Sequence, residues 1–122
     1  MNKPLIVAEI SASHNGSLET AMKLVEDCAK AGAGAIKLQT WTPDTMVVDP
    51  SLVIEAGPWA GRNMQELYRQ AHTPWEWHVP LFAHAQNLGM VAFSSVFMRS
   101  PTCLTGLRRR CLGSSKILLS LR

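Results

Sequence analysis

The chain has 122 residues, 47% of them apolar and 17% charged, with a net charge of +3. That composition suits one globular domain with a modest core, and no apolar run reaches the roughly 20 residues that cross a bilayer. Three cysteines, Cys28, Cys103 and Cys111, lack metal-site spacing, and so odd and sparse a count fits a reducing cytoplasm better than a disulfide framework.

The charge is split between two segments. Residues 1–97 hold six cations against nine carboxylates, whereas Arg99, Arg108, Arg109, Arg110, Lys116 and Arg122 lie in a stretch with no carboxylate at all. The pI near 9.0 is therefore a property of the last 25 residues. Met1-Asn2-Lys3-Pro4 leads into a short apolar run that soon meets Glu9, which does not read as a secretory signal.

"LIVAEI" (5–10) is a β-type run of the length expected for a buried parallel strand. "SASHNGS" follows with loop chemistry. Ser17 is the predicted cap of a helix that places Leu18, Ala21, Met22, Val25, Cys28 and Ala29 on one face; Glu19 suits its first turn, and Gly32 is its natural stop. "AIKLQT" (35–40) is the second strand. Strand, helix and strand within about forty residues make a βαβ unit, which requires a parallel sheet.

Residues 41–61 read as a long loop rich in Pro, Asp, Thr and Gly, and connections of that length are usually functional. A short helix is predicted over 63–71, with Met64, Leu67, Tyr68 and Ala71 on one side. "TPWE" then predicts a helix start, with Thr73 as N-cap, Pro74 at the first helical position and Glu76 completing a capping box. That helix is expected to bury Trp77, Leu81, Ala85 and Leu88 and to stop before Gly89, with Pro80 kinking it or shifting its start. "MVAFSS" (90–95) is the third strand. No internal repeat is visible.

Each strand ends in polar residues: Glu9 in the first, Lys37 and Gln39 in the second, Ser94 and Ser95 in the third. Parallel α/β folds bind ligands at the carboxyl ends of their strands. With a two-residue period Lys37 and Gln39 share one side while Ile36 and Leu38 face the helices. A lysine placed inside a fold is costly unless something anionic meets it. Taken singly these signals have ordinary readings: a strand lysine is more often an edge or snorkelling residue, Glu9 reads equally as its ion-pair partner, and terminal serines commonly bond local backbone. Together they point to an anion-handling site. His14, within H-N-G, is open between a loop-fixing hydrogen bond and a substrate contact. His72, His78 and His84 lie on or beside helical segments and read as structural or solvated rather than metal-ligating; Trp59, Trp75 and Trp77 read as packing residues.

"AEISASHNGSLETAMKLVEDCAKAGAGAIKLQTWTPDTM" resembles the opening of the sialic acid synthase family, the phosphoenolpyruvate-dependent nonulosonate synthases. "GPWAGRNMQELYRQAHTPWEWHVPLFAHAQNLGMVAFSS" is most similar to its pseudaminic acid synthase branch, with N-acetylneuraminate and legionaminate synthases as the alternatives. The resemblance implies α/β architecture, with residues 1–97 forming about the first three β/α units of a (β/α)8 TIM barrel. It implies a condensing transferase joining phosphoenolpyruvate to a 2,4-diacetamido-2,4,6-trideoxyhexose, releasing phosphate. In that reaction a divalent metal, Mn or Mg, polarises the sugar aldehyde. Carried over residue by residue, Lys37 matches the lysine that binds the anionic groups of phosphoenolpyruvate, and Ser95 a hydroxyl contact to it. Glu9 matches a glutamate that hydrogen-bonds or moves a proton at the reacting centre, and Gln39 a glutamine on the sugar side. His14 and Asn15 match the substrate-side H-N-G loop. The metal-binding histidines belong to later strands that are absent from this sequence, as is the C-terminal antifreeze-like domain that caps a neighbour's site in the family's homodimers.

The pattern breaks after Ser95. The family expects a proline and phenylalanine, an acidic helix and a strand like "YKIAS"; this chain has Val96-Phe97 and then "MRSPTCLTGLRRRCLGSSKILLSLR". Residues 98–122 read as a disordered extension of out-of-frame composition, and the polypeptide as an N-terminal synthase fragment with little or no activity of its own. The competing reading, a nucleic-acid binder working through Arg108-Arg109-Arg110 and Lys116, lacks aromatic residues in the tail and any recognisable module.

Overall fold

The structure is a computed structural model that describes residues 3–97; the expectations for the basic segment 98–122 lie outside the described residues. Its elements run β1 (Val7–Glu9), α1 (Leu18–Lys30), β2 (Ala35–Thr40), α2 (Pro43–Met46), α3 (Met64–Ala71), a 3-10 turn (Trp75–Trp77), α4 (His78–Asn87) and β3 (Val91–Val96). The three strands form one parallel sheet in the order β1-β2-β3. The fold is thus α/β, as expected from the βαβ pattern.

α1 begins where Ser17 Oγ accepts the Thr20 N–H at 3.2 Å, and it ends at Ala31, after which Gly32 takes φ +90°. Ala21 and Val25 are its fully buried residues. They pack with Leu81, Phe82 and Ala85 of α4 against Ile36, Leu38 and Ala92 of the sheet. Both helices therefore cover one sheet face, and every second strand residue is sorted onto it.

β1 departs from the expected buried six-residue strand. Only Val7–Glu9 is strand, and Leu5, Ile6 and Val7 are exposed. Among the described residues β1 pairs with β2 alone and no helix lies over its Val7–Glu9 side, so only Ala8 and Ile10 reach the core.

The predicted capping box is also replaced. Thr73 Oγ1 lies 3.3 Å from His14 Nε2 instead of capping a helix, Pro74 and Glu76 belong to the approach to and body of the 3-10 turn, and α4 starts only at His78. Pro80 then falls in the first turn of α4, where a missing N–H costs nothing, so it shifts the start rather than kinking the helix. Leu88 sits at the helix's C-cap and is exposed rather than buried. Within 41–61 the short α2 and an isolated antiparallel bridge between Val53 and Asn63 give the loop internal order. Trp59, expected to pack, is 53% exposed. Among the described residues no helix is long and apolar enough to cross a membrane.

Candidate ligand site at the strand ends

In the parallel register Glu9 stands beside Lys37 and Gln39 beside Ser95. All four lie on the sheet face opposite the helices, since Ile36, Leu38 and Ala92 occupy the covered one. Lys37 Nζ is 3.2 Å from Glu9 Oε2, and Gln39 Nε2 donates to the same oxygen at 3.3 Å. Ser11 Oγ donates to Gln39 Oε1 at 3.4 Å, which fixes the amide from its other end. The ion pair is about one-third exposed on both sides. An ammonium has three donors and Glu9 takes one, so two remain for another acceptor.

Ser95 adds a different observation. Its hydroxyl is buried and has no hydrogen-bond partner among the described residues, an arrangement that costs free energy unless something completes it. The adjacent Ser94 shows what completion looks like on the covered face. Ser94 Oγ lies 2.9 Å from Leu38 O and 2.5 Å from Thr40 Oγ1, to which it gives its one proton, and Thr40 Oγ1 lies 2.6 Å from His78 Nε2. His78 Nδ1 faces the carbonyls of Pro74 and Trp75, both at 3.2 Å. Carbonyls only accept, so the Nδ1 proton points at them and Nε2 accepts from Thr40. Burial pushes the His78 pKa down, against smaller upward contributions from those carbonyls and Glu76. This chain ties β2 and β3 to the start of α4.

His14 is fully buried in the β1–α1 loop. Gly16 N–H donates to its Nδ1 at 3.1 Å, so the neutral ring carries its proton on Nε2 and presents it to Thr73 Oγ1. The Trp77 ring meets it edge-on at 5.2 Å. Burial first, and His72 second, hold its pKa below the ordinary value. Asn15, next to it, is exposed with φ +48°. The structure thus gathers Glu9, Lys37, Gln39 and Ser95 along the strand ends, and places His14 beneath the loop that carries Asn15.

Two features escaped the sequence reading. Ser11 lies in the turn after β1 at φ +40°, where the strand's period of two has ended, so periodicity carries no signal for it. Thr40 continues the parity of Ile36 and Leu38, and a threonine on a core face demands a partner, here His78. Among the described residues no group of three or more His, Cys, Asp or Glu could hold a metal ion.

Residues 24–109 match the NeuB family. The chain is 47% identical over 100 residues to the pseudaminic acid synthase of Campylobacter jejuni, covering 80% of this chain and 29% of that protein. It is 42% identical over 101 residues to the pseudaminic acid synthase of Helicobacter pylori, covering 80% of this chain and again 29% of the relative. The chain therefore spans about three-tenths of the length of these relatives. The fold is similar to a crystal structure of the N-acetylneuraminic acid (sialic acid) synthetase of Leptospira borgpetersenii, with a TM-score of 0.67 and 23% identity over 88% of this chain and 33% of that one. The parallel three-stranded sheet accordingly matches part of a TIM-barrel-like fold, and the chain belongs to the NeuB family.

Proposed function

We propose that residues 3–97 are about the first three β/α units of a barrel and carry the phosphoenolpyruvate-binding arm of a cytoplasmic, homodimeric nonulosonic acid synthase. The reaction joins phosphoenolpyruvate to a 2,4-diacetamido-2,4,6-trideoxyhexose, giving pseudaminic acid and phosphate. The pseudaminate product is preferred over N-acetylneuraminate or legionaminate because the relatives at 47% and 42% identity are pseudaminic acid synthases. The observation that carries the reading is Lys37 on the open sheet face, held by Glu9 beside the unpartnered Ser95 hydroxyl.

In this reading Lys37 keeps its bond to Glu9 and offers its remaining donors to the phosphate and carboxylate of phosphoenolpyruvate, while Ser95 Oγ gains the partner it lacks. Glu9 holds Lys37 and Gln39 in place and is the carboxylate available for hydrogen bonding or proton movement at the reacting carbon. Gln39, with its amide fixed by Ser11 and Glu9, faces the sugar, and the His14–Asn15 loop borders it. NeuB membership suggests a metal dependence, but the described residues do not form a metal centre, and no step is assigned to one.

Calorimetric titration of phosphoenolpyruvate into the 122-residue chain and its Lys37→Met variant tests the site. Saturable binding that the substitution abolishes is expected; equal binding by both proteins would overturn the assignment. Mixed with manganese, phosphoenolpyruvate and the sugar, the same chain is expected to release no phosphate steadily. Sustained release would show that this polypeptide needs no further part of a barrel.

A further inference from the structure

β1 is paired on one side only. Ile6 O accepts from Gly34 N at 2.9 Å and from Ala35 N at 3.2 Å, and the parallel register sets Val7 beside Ala35, Ala8 beside Ile36 and Glu9 beside Lys37. In such a ladder Ile6, Ala8 and Ile10 turn their backbone groups to β2. The N–H and C=O groups of Leu5, Val7 and Glu9 therefore point the other way, where no strand stands among the described residues. The side chains of Leu5, Ile6 and Val7 along this edge are exposed, the first two by more than half. Open ladder positions flanked by apolar side chains are a template for a further strand.

Proline and charge commonly blunt such an edge, and here neither does. Pro4 shares the parity of Ile6 and Ala8, so its missing N–H would have faced β2 and takes nothing from the free edge. Lys3 shares the parity of Glu9. Antiparallel pairing of two copies centred on Ile6 sets Leu5 opposite the second copy's Val7, in pairs bonded through the open N–H and C=O groups. It sets Ile6 opposite its own equivalent on the two-fold axis, and Lys3 opposite Glu9. Lys37 and Gln39 both bond Oε2 of Glu9, which leaves Oε1 for the arriving ammonium. The neighbouring registers that keep the backbone groups facing, centred on Leu5 or on Val7, set Lys3 opposite Val7 or Glu9 opposite Leu5 and lose that charge match.

We propose that the free edge of β1 docks a second copy of this chain, antiparallel and centred on Ile6, so that two three-stranded sheets become one of six. The contact is isologous and uses both β1 edges, so it closes at two copies. It goes beyond the synthase reading and does not rest on it. Sedimentation velocity on the 122-residue chain, with amide hydrogen exchange followed by NMR, tests it. The chain is expected to sediment as a dimer, with the amides of Leu5, Val7 and Glu9 protected along with that of Ala8. Ile6→Lys sets two ammonium groups against each other at the axis. It is expected to give a monomer in which Leu5, Val7 and Glu9 exchange freely while Ala8 stays protected. Lys3→Glu makes both Lys3–Glu9 pairs repulsive and is expected to weaken the dimer by roughly tenfold, an effect that shrinks as salt rises. Both side chains are exposed, so circular dichroism spectra matching the parent are expected; were Ile6→Lys to disturb the fold, Lys3→Glu decides alone. A monomeric parent, open-ended assembly, or a dimer that Lys3→Glu leaves unchanged would overturn the proposal. So would edge amides that stay protected in a monomer, the result expected if residues 98–122 took the edge instead.

Discussion

Ser94 and Ser95 are neighbours in β3, and the sheet sends them to opposite faces. Ser94 enters a chain of hydroxyls that ends on His78, with every polar atom matched inside the protein. Ser95 is almost as buried, and its hydroxyl is matched by nothing among the described residues. The same contrast runs along β2. Ile36, Leu38 and Thr40 serve the helix-covered face, while Lys37 and Gln39 form a polar cluster on the face that no helix among the described residues covers. The covered face closes its polar groups within the protein; the open one leaves Ser95 Oγ without a partner among the described residues. If that division is real, substitutions on one face act on folding and those on the other act on ligands.

Leu81→Ala probes the covered face most severely. Leu81 is fully exclusive of solvent and sits in the cluster shared by α1, α4 and the sheet. Removing it is expected to cost about 2–5 kcal/mol through lost burial and the cavity left behind. Urea unfolding followed by circular dichroism measures this; a loss under about 1 kcal/mol would mean that the two helices do not pack against the sheet as described.

The serine pair gives the sharper comparison at smaller cost. Ser94→Ala removes the hydroxyl that Thr40 Oγ1 meets in the core and is expected to destabilise by about 1–3 kcal/mol without changing phosphoenolpyruvate affinity. Ser95→Ala deletes a hydroxyl that has no partner, so stability is expected to hold or rise while phosphoenolpyruvate binds more weakly. Urea midpoints and calorimetric titration on both variants read the two axes. Were the two substitutions to act alike, the faces would not differ in the way their hydrogen bonds imply.

This pairing also shows what the sequence could convey. Parity alone assigns Lys37 and Gln39 to one side and Ile36 and Leu38 to the other, because a strand's side chains alternate whatever surrounds it. Ser17 and Gly32 mark the ends of α1 because caps are local chemistry. Thr73 misled because the local motif is sound, yet His14, 59 residues away, takes the hydroxyl for its own ring. Such a long-range hydrogen bond leaves no periodic trace. The exposure of Leu5, Ile6 and Val7 was equally hidden. An apolar run announces that burial is favourable, but not whether a neighbouring strand is there to provide it. Trp59 failed for the same reason, since composition marks an aromatic residue without telling a core from the wall of a cleft.

Acid should weaken the fold through its two buried histidines. His14 and His78 both have pKa values lowered chiefly by burial. Below the ordinary histidine value of about 6.5 the unfolded chain therefore binds protons that the folded chain refuses. Their contribution to stability is complete above that pH and is lost as the pH falls through it towards the lowered folded values. Urea midpoints at about pH 7.5 and about pH 5.5 bracket the range. A lower midpoint at the acid end is expected, and an unchanged or higher one would mean that the rings are not held neutral.

The smallest effect on folding is expected from the residue proposed to meet phosphoenolpyruvate. The Lys37–Glu9 pair is about one-third exposed on each side, and water screens such pairs so well that they contribute about 0–1 kcal/mol. Lys37→Met should therefore move the urea midpoint little, because the methionine keeps most of the aliphatic stem and Gln39 still bonds Glu9. The same substitution removes the one cation of the cluster and should abolish phosphoenolpyruvate binding. A loss of several kcal/mol in stability with binding intact would reverse the roles of the two faces: Lys37 would then be a structural ion pair, and the open side of the sheet would have no claim on an anion.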